Sequence, residues 1–366
     1  MNPNDISPGT RSIPKTGGMQ FYVSLLETGE SIRSEYSTID DLKPVLEKSK
    51  LIWINYTTDD IRNKGPEMAR ALGFTQGLVA RLMEREQQSE YEDNDVDLGL
   101  LVPAVYVVNM EVKITPLIIL IRKGIILTIA GREVIRLVRF SRYATTFFRK
   151  IPKKAQWNDT LTLALIRILD ENNDRNFDHL REIESQADEL SKDLMDPKTP
   201  RTKIGPAIYE MKHALIVYMN ALWDTLDVIN NLRYGDAEVM TDDQKILDRI
   251  TMLSSDINQQ LSLSEHMSEV LASGLEVLQT IYNNQLQMLN NRLAYLATWL
   301  AIIGTAVLVP NTLATVYGIG VVSDEISHQL GSGFILTSLI ATSLISGLLV
   351  FLILRWKRWM PKNEEW

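Results

Sequence analysis

The chain has no cysteine, so disulfides, cysteine-based zinc sites and thiolate nucleophiles are excluded. Histidine is nearly absent too. His179, His213, His266 and His328 lie far apart and form no His-Glu-x-x-His pair, so they read as ordinary surface or core side chains. A basic excess is also missing: 38 Lys and Arg face 46 Asp and Glu, a net charge of −8 that argues against nucleic acid as a partner. A phosphate-binding loop fails at Gly9-Thr10-Arg11-Ser12-Ile13-Pro14-Lys15-Thr16, where Pro14 stands in place of the second glycine and no strand precedes. With no nucleophile and base in a recognisable pattern, no enzymatic site is read. Residues 1–18 are polar and rich in Pro and Gly, which predicts a disordered tail rather than a signal peptide.

What the C-terminal part lacks is charge. No Asp, Glu, Lys, Arg or His occurs from Leu293 to Ser323, nor from Gln329 to Leu354. A charged group at the bilayer centre costs roughly 2.5–3.5 kcal/mol, and about 20 apolar residues suffice for a hydrocarbon core of about 30 Å. Two membrane spans are therefore expected. Arg355, Lys357, Arg358 and Lys362 follow the second, while the connector Tyr317–Ser332 has no Lys or Arg, so both termini are expected in the cytoplasm. The mean hydropathy of −0.06 looks soluble only because a large charged region dilutes the two spans.

Upstream, β-rich runs such as Phe21–Leu25, Leu51–Ile54 and Leu117–Ile121 alternate with helical patterns around Pro66–Arg85, which predicts a small α/β domain over 19–150. Ile118–Ile121, Arg122-Lys123-Gly124 and Ile125–Ile129 read as an antiparallel hairpin. From Trp157 on, only helical spacing remains. Leu163, Ile166, Leu169 and Asn173, then Leu180, Ile183 and Ala187, recur until Asp196-Pro197 and Pro200 break the pattern. A helix from Tyr209 to Leu232 and a second from about Thr241 form the hairpin and stalk of a cytoplasmic helical region, 151–292. Thr241-Asp242-Asp243-Gln244 offers a capping box. Only Gly274 interrupts Asp248–Leu296, so the stalk is expected to run unbroken to about Val316, on the order of 110 Å at 1.5 Å per residue. Such a helix needs partner helices or oligomerisation. The rest divides into a first span 293–316, an outer loop 317–332, a second span 333–354 and a basic tail 355–366.

Two clusters draw attention. Glu90–Asp97 is strongly acidic, and Asp93, Asp95 and Asp97 open like a calcium loop, but Leu98 replaces the required glycine and Ala104 the closing glutamate. A solvated acidic loop and a weak Mg²⁺ or Ca²⁺ site shared between subunits both fit. On the first span, Gly304, Thr305, Leu308, Asn311, Thr312 and Thr315 lie within about 60° of one direction at about 100° per residue, while Trp299, Ile303, Ala306 and Leu313 point the other way. Such a face serves either helix packing or an uncharged pore with Leu308 as its constriction. Asn311 favours the pore, because an amide in hydrocarbon is costly without partners.

Pro310-Asn311-Thr312-Leu313-Ala314-Thr315-Val316-Tyr317-Gly318-Ile319-Gly320, ending the first of two C-terminal spans, resembles the signature of the CorA family of divalent-cation channels. The resemblance covers about Met19 to Lys362. It implies an α+β cytoplasmic domain followed by a long helical stalk and two transmembrane helices, assembled as a funnel-shaped homopentamer in the plasma membrane, with the first spans lining the pore. The family carries Gly-Met-Asn after the tyrosine, its Asn meeting hydrated Mg²⁺, and zinc-transporting relatives carry Gly-Ile-Asn. Here Tyr317 is followed by Gly318-Ile319-Gly320, without the amide. Asn290 or Asn291 resembles the family's inner pore asparagine.

The expected function is thus a channel for divalent cations, Mg²⁺ foremost, with Zn²⁺, Co²⁺ or Ni²⁺ transport and a non-conducting sensor or scaffold as alternatives. Inward driving force is about 4.6 kcal/mol per divalent ion per 100 mV, so no ATP site is needed. Asp324 and Glu325 in the outer loop raise the local cation concentration. The resemblance also implies that intracellular divalent cations hold the pentamer closed, with Asp93, Asp95, Asp97 and Asp256 as candidate bridging carboxylates; no organic cofactor is expected.

Overall fold

The computed structural model describes residues 20–84, 89–108, 111–195, 200–235, 237–320, 328 and 332–356. The expected N-terminal tail, Asp236, Asp324, Glu325, and the basic tail beyond Trp356 lie outside them. Two compact units, Met1–Leu275 and Glu276–Trp366, are taken in turn.

The first unit is built on a sheet of seven strands: β1 (Phe21–Leu26), β2 (Ser31–Glu35), β3 (Ser49–Thr57), β4 (Glu90–Asp93), β5 (Asp97–Val108), β6 (Glu111–Arg122) and β7 (Ile125–Ala130). Their order is β2-β1-β3-β7-β6-β5-β4. Only β3 and β7 pair in parallel; every other neighbour is antiparallel. The β6–β7 hairpin forms as its sequence predicts, with Gly124 at φ +79° in a turn that a side chain would strain.

Both sheet faces are covered, so the central strands are apolar throughout instead of alternating. After α1 (Lys43–Leu46), the helical pattern around Pro66–Arg85 resolves into α2 (Ile61–Ala71) and α3 (Gln76–Glu84), broken at Gly73 with φ +87°. Met68, Leu72, Leu78 and Leu82 from these helices meet Ile52, Ile54, Ile118, Leu120 and Ile129. On the opposite face, α4 (Ile135–Arg149) sets Phe140 against Trp53, and Trp53 meets Phe21 edge to face, each pair 5.1 Å between ring centroids. The Trp53 indole N–H donates to the Thr128 hydroxyl at 3.1 Å, which satisfies the buried polar end.

Three sequence expectations change. The acidic stretch is not a loop: Glu90–Asp93 is the edge strand β4, paired with β5, and charge on an edge strand discourages unwanted pairing. The pattern from Leu163 to Ala187 is two helices, α5 (Trp157–Asn173) and α6 (Asn176–Met195), followed by α7 (Arg201–Tyr234). The capping box at Thr241 does not form. Asp243 caps α8 (Gln244–Tyr317) instead, its carboxylate accepting from the Lys245 N–H at 2.8 Å, while the Thr241 hydroxyl donates to Asp159.

α8 is the unbroken helix its sequence predicts. Leu253, Ile257, Gln260, Ser264, Met267 and Leu271 are buried at alternating steps of four and three, the period of a helix packed along one seam. In the second unit, the C-terminal part of α8 packs beside α9 (Ser332–Trp356). Both helices are long and apolar enough to cross a bilayer.

Candidate functional site

The pairing of α8 with α9 covers one side of α8 and leaves the rest exposed. Ile302 is buried and Thr305, Pro310, Leu313 and Tyr317 are half-buried, and the Ser346 hydroxyl donates to the Thr305 carbonyl at 3.1 Å. Gly304, Leu308, Asn311, Thr312 and Thr315 are all exposed, together with apolar neighbours such as Ile303, Val307 and Val316. Of the candidate face, Thr305 meets α9 through its carbonyl, and Asn311 borders a groove partly lined by α9. Asn290 and Asn291, nearer the start of the apolar stretch, are exposed as well.

The hydroxyls on this helix have a definite polarity that residue types alone do not show. Thr305 donates to the Ala301 carbonyl, Thr312 to Leu308 and Thr315 to Asn311, each at 2.8 Å. With the hydroxyl protons held inside the helix, the outward side of each oxygen is a lone-pair acceptor, the polarity that a hydrated cation requires. Among the described residues nothing hydrogen-bonds the Asn311 side-chain amide, which leaves both its carbonyl and its N–H groups available. Asn311 also borders a groove of about 510 Å³ formed with Val307, Pro310, Ala314, Leu339, Ile340, Ser343 and Leu344.

The helix ends at Tyr317, with the Gly318 N–H on the Ala314 carbonyl at 2.9 Å and the Ile319 N–H on Val316 at 3.2 Å. Carbonyls left without partners at such an end carry the negative pole of the helix. Among the described residues a Cβ built on Gly320 meets nothing within 4 Å, and its backbone does not lie in the left-handed region, so they leave room for a side chain there.

The acidic candidates do not converge. Asp93 accepts from the Asp95 N–H at 3.1 Å, Asp95 sits at φ +67° in the β4–β5 turn, and Asp97 turns inward. The Asp97 carboxylate, 0% exposed, pairs with Arg122 Nε at 2.7 Å and accepts from the Thr75 N–H at 2.8 Å and hydroxyl at 2.7 Å. Thr75 holds Oδ2, and the buried Oδ1 has the Arg122 ion pair without a well-aligned hydrogen bond; a carboxylate so enclosed has no part in an exposed metal cage. Asp256 lies elsewhere, on α8, beside a cavity of about 240 Å³ with Arg167, Asp170 and Arg249. Burial raises the Asp170 carboxyl above its ordinary range, against the pull of Arg167, with Asp174 and Asp256 adding to the rise. Among the described residues no group of three His, Cys, Asp or Glu side chains is placed to hold a metal. Asp170 escaped sequence analysis because its pattern is that of an ordinary helix surface.

Comparison with known proteins follows the same lines. Residues 48–358 match the family described as CorA-like Mg²⁺ transporter protein. The chain is similar in structure to the CorA magnesium transporter of Methanocaldococcus jannaschii, with a TM-score of 0.66, 17% identity, and coverage of 92% of this chain and 97% of that one. The full-length CmaX protein gives a TM-score of 0.60 at 16% identity, covering 94% and 100%. The cytoplasmic domain of ZntB from Vibrio parahaemolyticus gives 0.55 at 15%, covering 73% and 99%. No curated protein matches the sequence. At these identities the neighbours establish the fold, and the family match extends over most of the chain from β3 through α9: the protein belongs to the CorA-like Mg²⁺ transporter family.

Proposed function

We propose that this protein is a channel for divalent metal cations, Mg²⁺ foremost, formed by a homopentamer whose α8 segments surround the pore, with both spans in the plasma membrane and both termini in the cytoplasm. The observation that supports this reading best is the open face of α8: it joins Gly304, Leu308, Asn311, Thr312 and Thr315, lacks charge, and presents acceptor oxygens. Mg²⁺ dehydrates reluctantly, so an uncharged path carries it with much of its water, held by neutral oxygens. Asn290 and Asn291 would extend the path inward, and Asp324 and Glu325 would concentrate cations outside. No step consumes a substrate, so the reading is transport and not catalysis.

Purified protein in liposomes tests this directly. Mg²⁺ influx driven by an inside-negative potential is expected, and light scattering of the detergent-solubilised protein is expected to give five chains. Absence of flux for every divalent cation tried, or a monomer, would sink the proposal.

Gly320 favours a second reading. The family's selectivity amide is missing, and one structural neighbour is the cytoplasmic domain of ZntB, so Zn²⁺, Co²⁺ or Ni²⁺ competes with Mg²⁺ as cargo, and a non-conducting scaffold is the limiting case. Since the described residues leave room for a side chain at Gly320, Gly320→Asn is expected to fold normally and raise the Mg²⁺ preference several-fold, about 1 kcal/mol for a new hydrogen bond to the hydrated ion. Competition of Mg²⁺ influx by Zn²⁺, Co²⁺ and Ni²⁺ measures it, and an unchanged ranking would place the filter away from the mouth.

Regulation by intracellular Mg²⁺ is part of the same proposal, with Asp93, Asp95 and Asp256 as the available carboxylates and Asp97 left out. Since the described residues form no complete cage within one chain, carboxylates of neighbouring subunits would complete it.

A further inference from the structure

A buried guanidinium holds together four elements of the first unit, and one of its acceptors can take up a proton. Arg136, on α4, donates to the Val105 carbonyl of β5, the Asn172 carbonyl of α5, and the Asn176 side-chain oxygen at the start of α6 at 3.2 Å. Its remaining contact is His179 Nε2, one turn into α6, at 3.0 Å. The Asn176 carbonyl in turn accepts from the buried Tyr218 hydroxyl of α7 at 2.9 Å. Arginine only donates, so Nε2 must be the bare nitrogen of a neutral imidazole whose proton sits on Nδ1.

We propose that the Arg136–His179 contact is a proton-operated latch: neutral His179 fastens the first turn of α6 to α4 and the sheet, and protonation of His179 sets it loose. Protonation turns the acceptor into a donor facing a guanidinium at hydrogen-bond distance, two cations with no shared acceptor. The charged and titratable groups around it do not restore the balance. α4 contributes Arg136 and Arg139, the α5–α6 link Asp174 and Arg175, α6 Asp178, and α7 the Tyr218 phenol. Burial, then Arg136, lower the His179 imidazole to about 4, although Asp178 pulls the other way. Burial likewise lowers Arg136, to about 10, which still leaves it charged at neutral pH.

The sign follows from linkage. Because folding depresses this imidazole, the contact's contribution is complete above the ordinary histidine value of about 6.5 and declines as pH falls from there toward about 4. Local opening of α6 is therefore expected to grow through the weakly acidic range, on the order of tenfold by about pH 5 relative to pH 7.5.

Hydrogen–deuterium exchange of the full-length protein in lipid nanodiscs, corrected for the intrinsic pH dependence of exchange, reads this opening. The expected result is a roughly tenfold loss of protection confined to residues 176–183 in wild type, and none in His179→Gln, which keeps a neutral acceptor at every pH. Equal acid sensitivity in His179→Gln would overturn the latch. If that variant does not fold, imidazole-labelled wild type decides by NMR. Titration of His179 well below the ordinary histidine value of about 6.5, with the loss of protection developing between the two, supports the proposal. Titration of His179 at the ordinary value overturns it.

Discussion

Asn311→Leu is expected to abolish divalent-cation flux while leaving the assembled protein intact. Leucine is close to asparagine in size and prefers the helix more strongly, so α8 and its apolar surroundings lose nothing in folding. What disappears is an exposed amide on an uncharged face. A hydrogen bond to a charged group contributes about 1.5–3 kcal/mol, so one lost water-shell contact lowers flux more than about tenfold, and a symmetric ring loses several. Liposome influx and light scattering must be measured together, because Asn311 also borders the groove with α9, where it has a competing role in helix packing. Loss of assembly together with flux would point to packing. Normal conduction would withdraw the pore from this face altogether.

How much of this was readable in the sequence differs element by element. α8 was readable almost to its ends, because a 74-residue helix without an internal breaker until Pro310 leaves the chain few alternatives. The β6–β7 hairpin was readable because Arg122-Lys123-Gly124 separates two β-branched runs. β4 was not: Glu90-Tyr91-Glu92-Asp93 has little strand propensity, and its pairing with Leu98–Leu101 is a tertiary choice. The α5–α6 break at Asp174-Arg175 was equally hidden, since neither residue stops a helix. Of the candidate site, the wheel of the first span located the polar face. It could not show that the threonine protons point back into the helix, nor that the Thr305 carbonyl meets α9. Pairings between distant segments, such as Asp97 with Arg122 and Thr75, leave no local trace at all.

That last pairing has a large and separable consequence. Asp97→Ala is expected to destabilise the first unit by about 3 kcal/mol, the lower end for breaking a buried ion pair, since Arg122 is 30% exposed and turns partly toward water. The Thr75 N–H and hydroxyl lose their acceptor as well, and among the described residues the guanidinium keeps the Gly73 carbonyl and the Phe74 ring. For a unit of this size the loss lowers Tm by roughly 6–12 °C. The condition of measurement separates a structural carboxylate from a regulatory one. With EDTA present and divalent cations removed, a metal ligand has no partner, and deleting it costs nothing or relieves repulsion between carboxylates. A carboxylate held by Arg122 is needed under the same condition, so the full loss appears in EDTA, while added Mg²⁺ raises the Tm of wild type and variant equally. If Asp97→Ala leaves Tm unchanged in EDTA and removes only the response to Mg²⁺, Asp97 is a metal ligand after all and the ion pair with Arg122 is not its role.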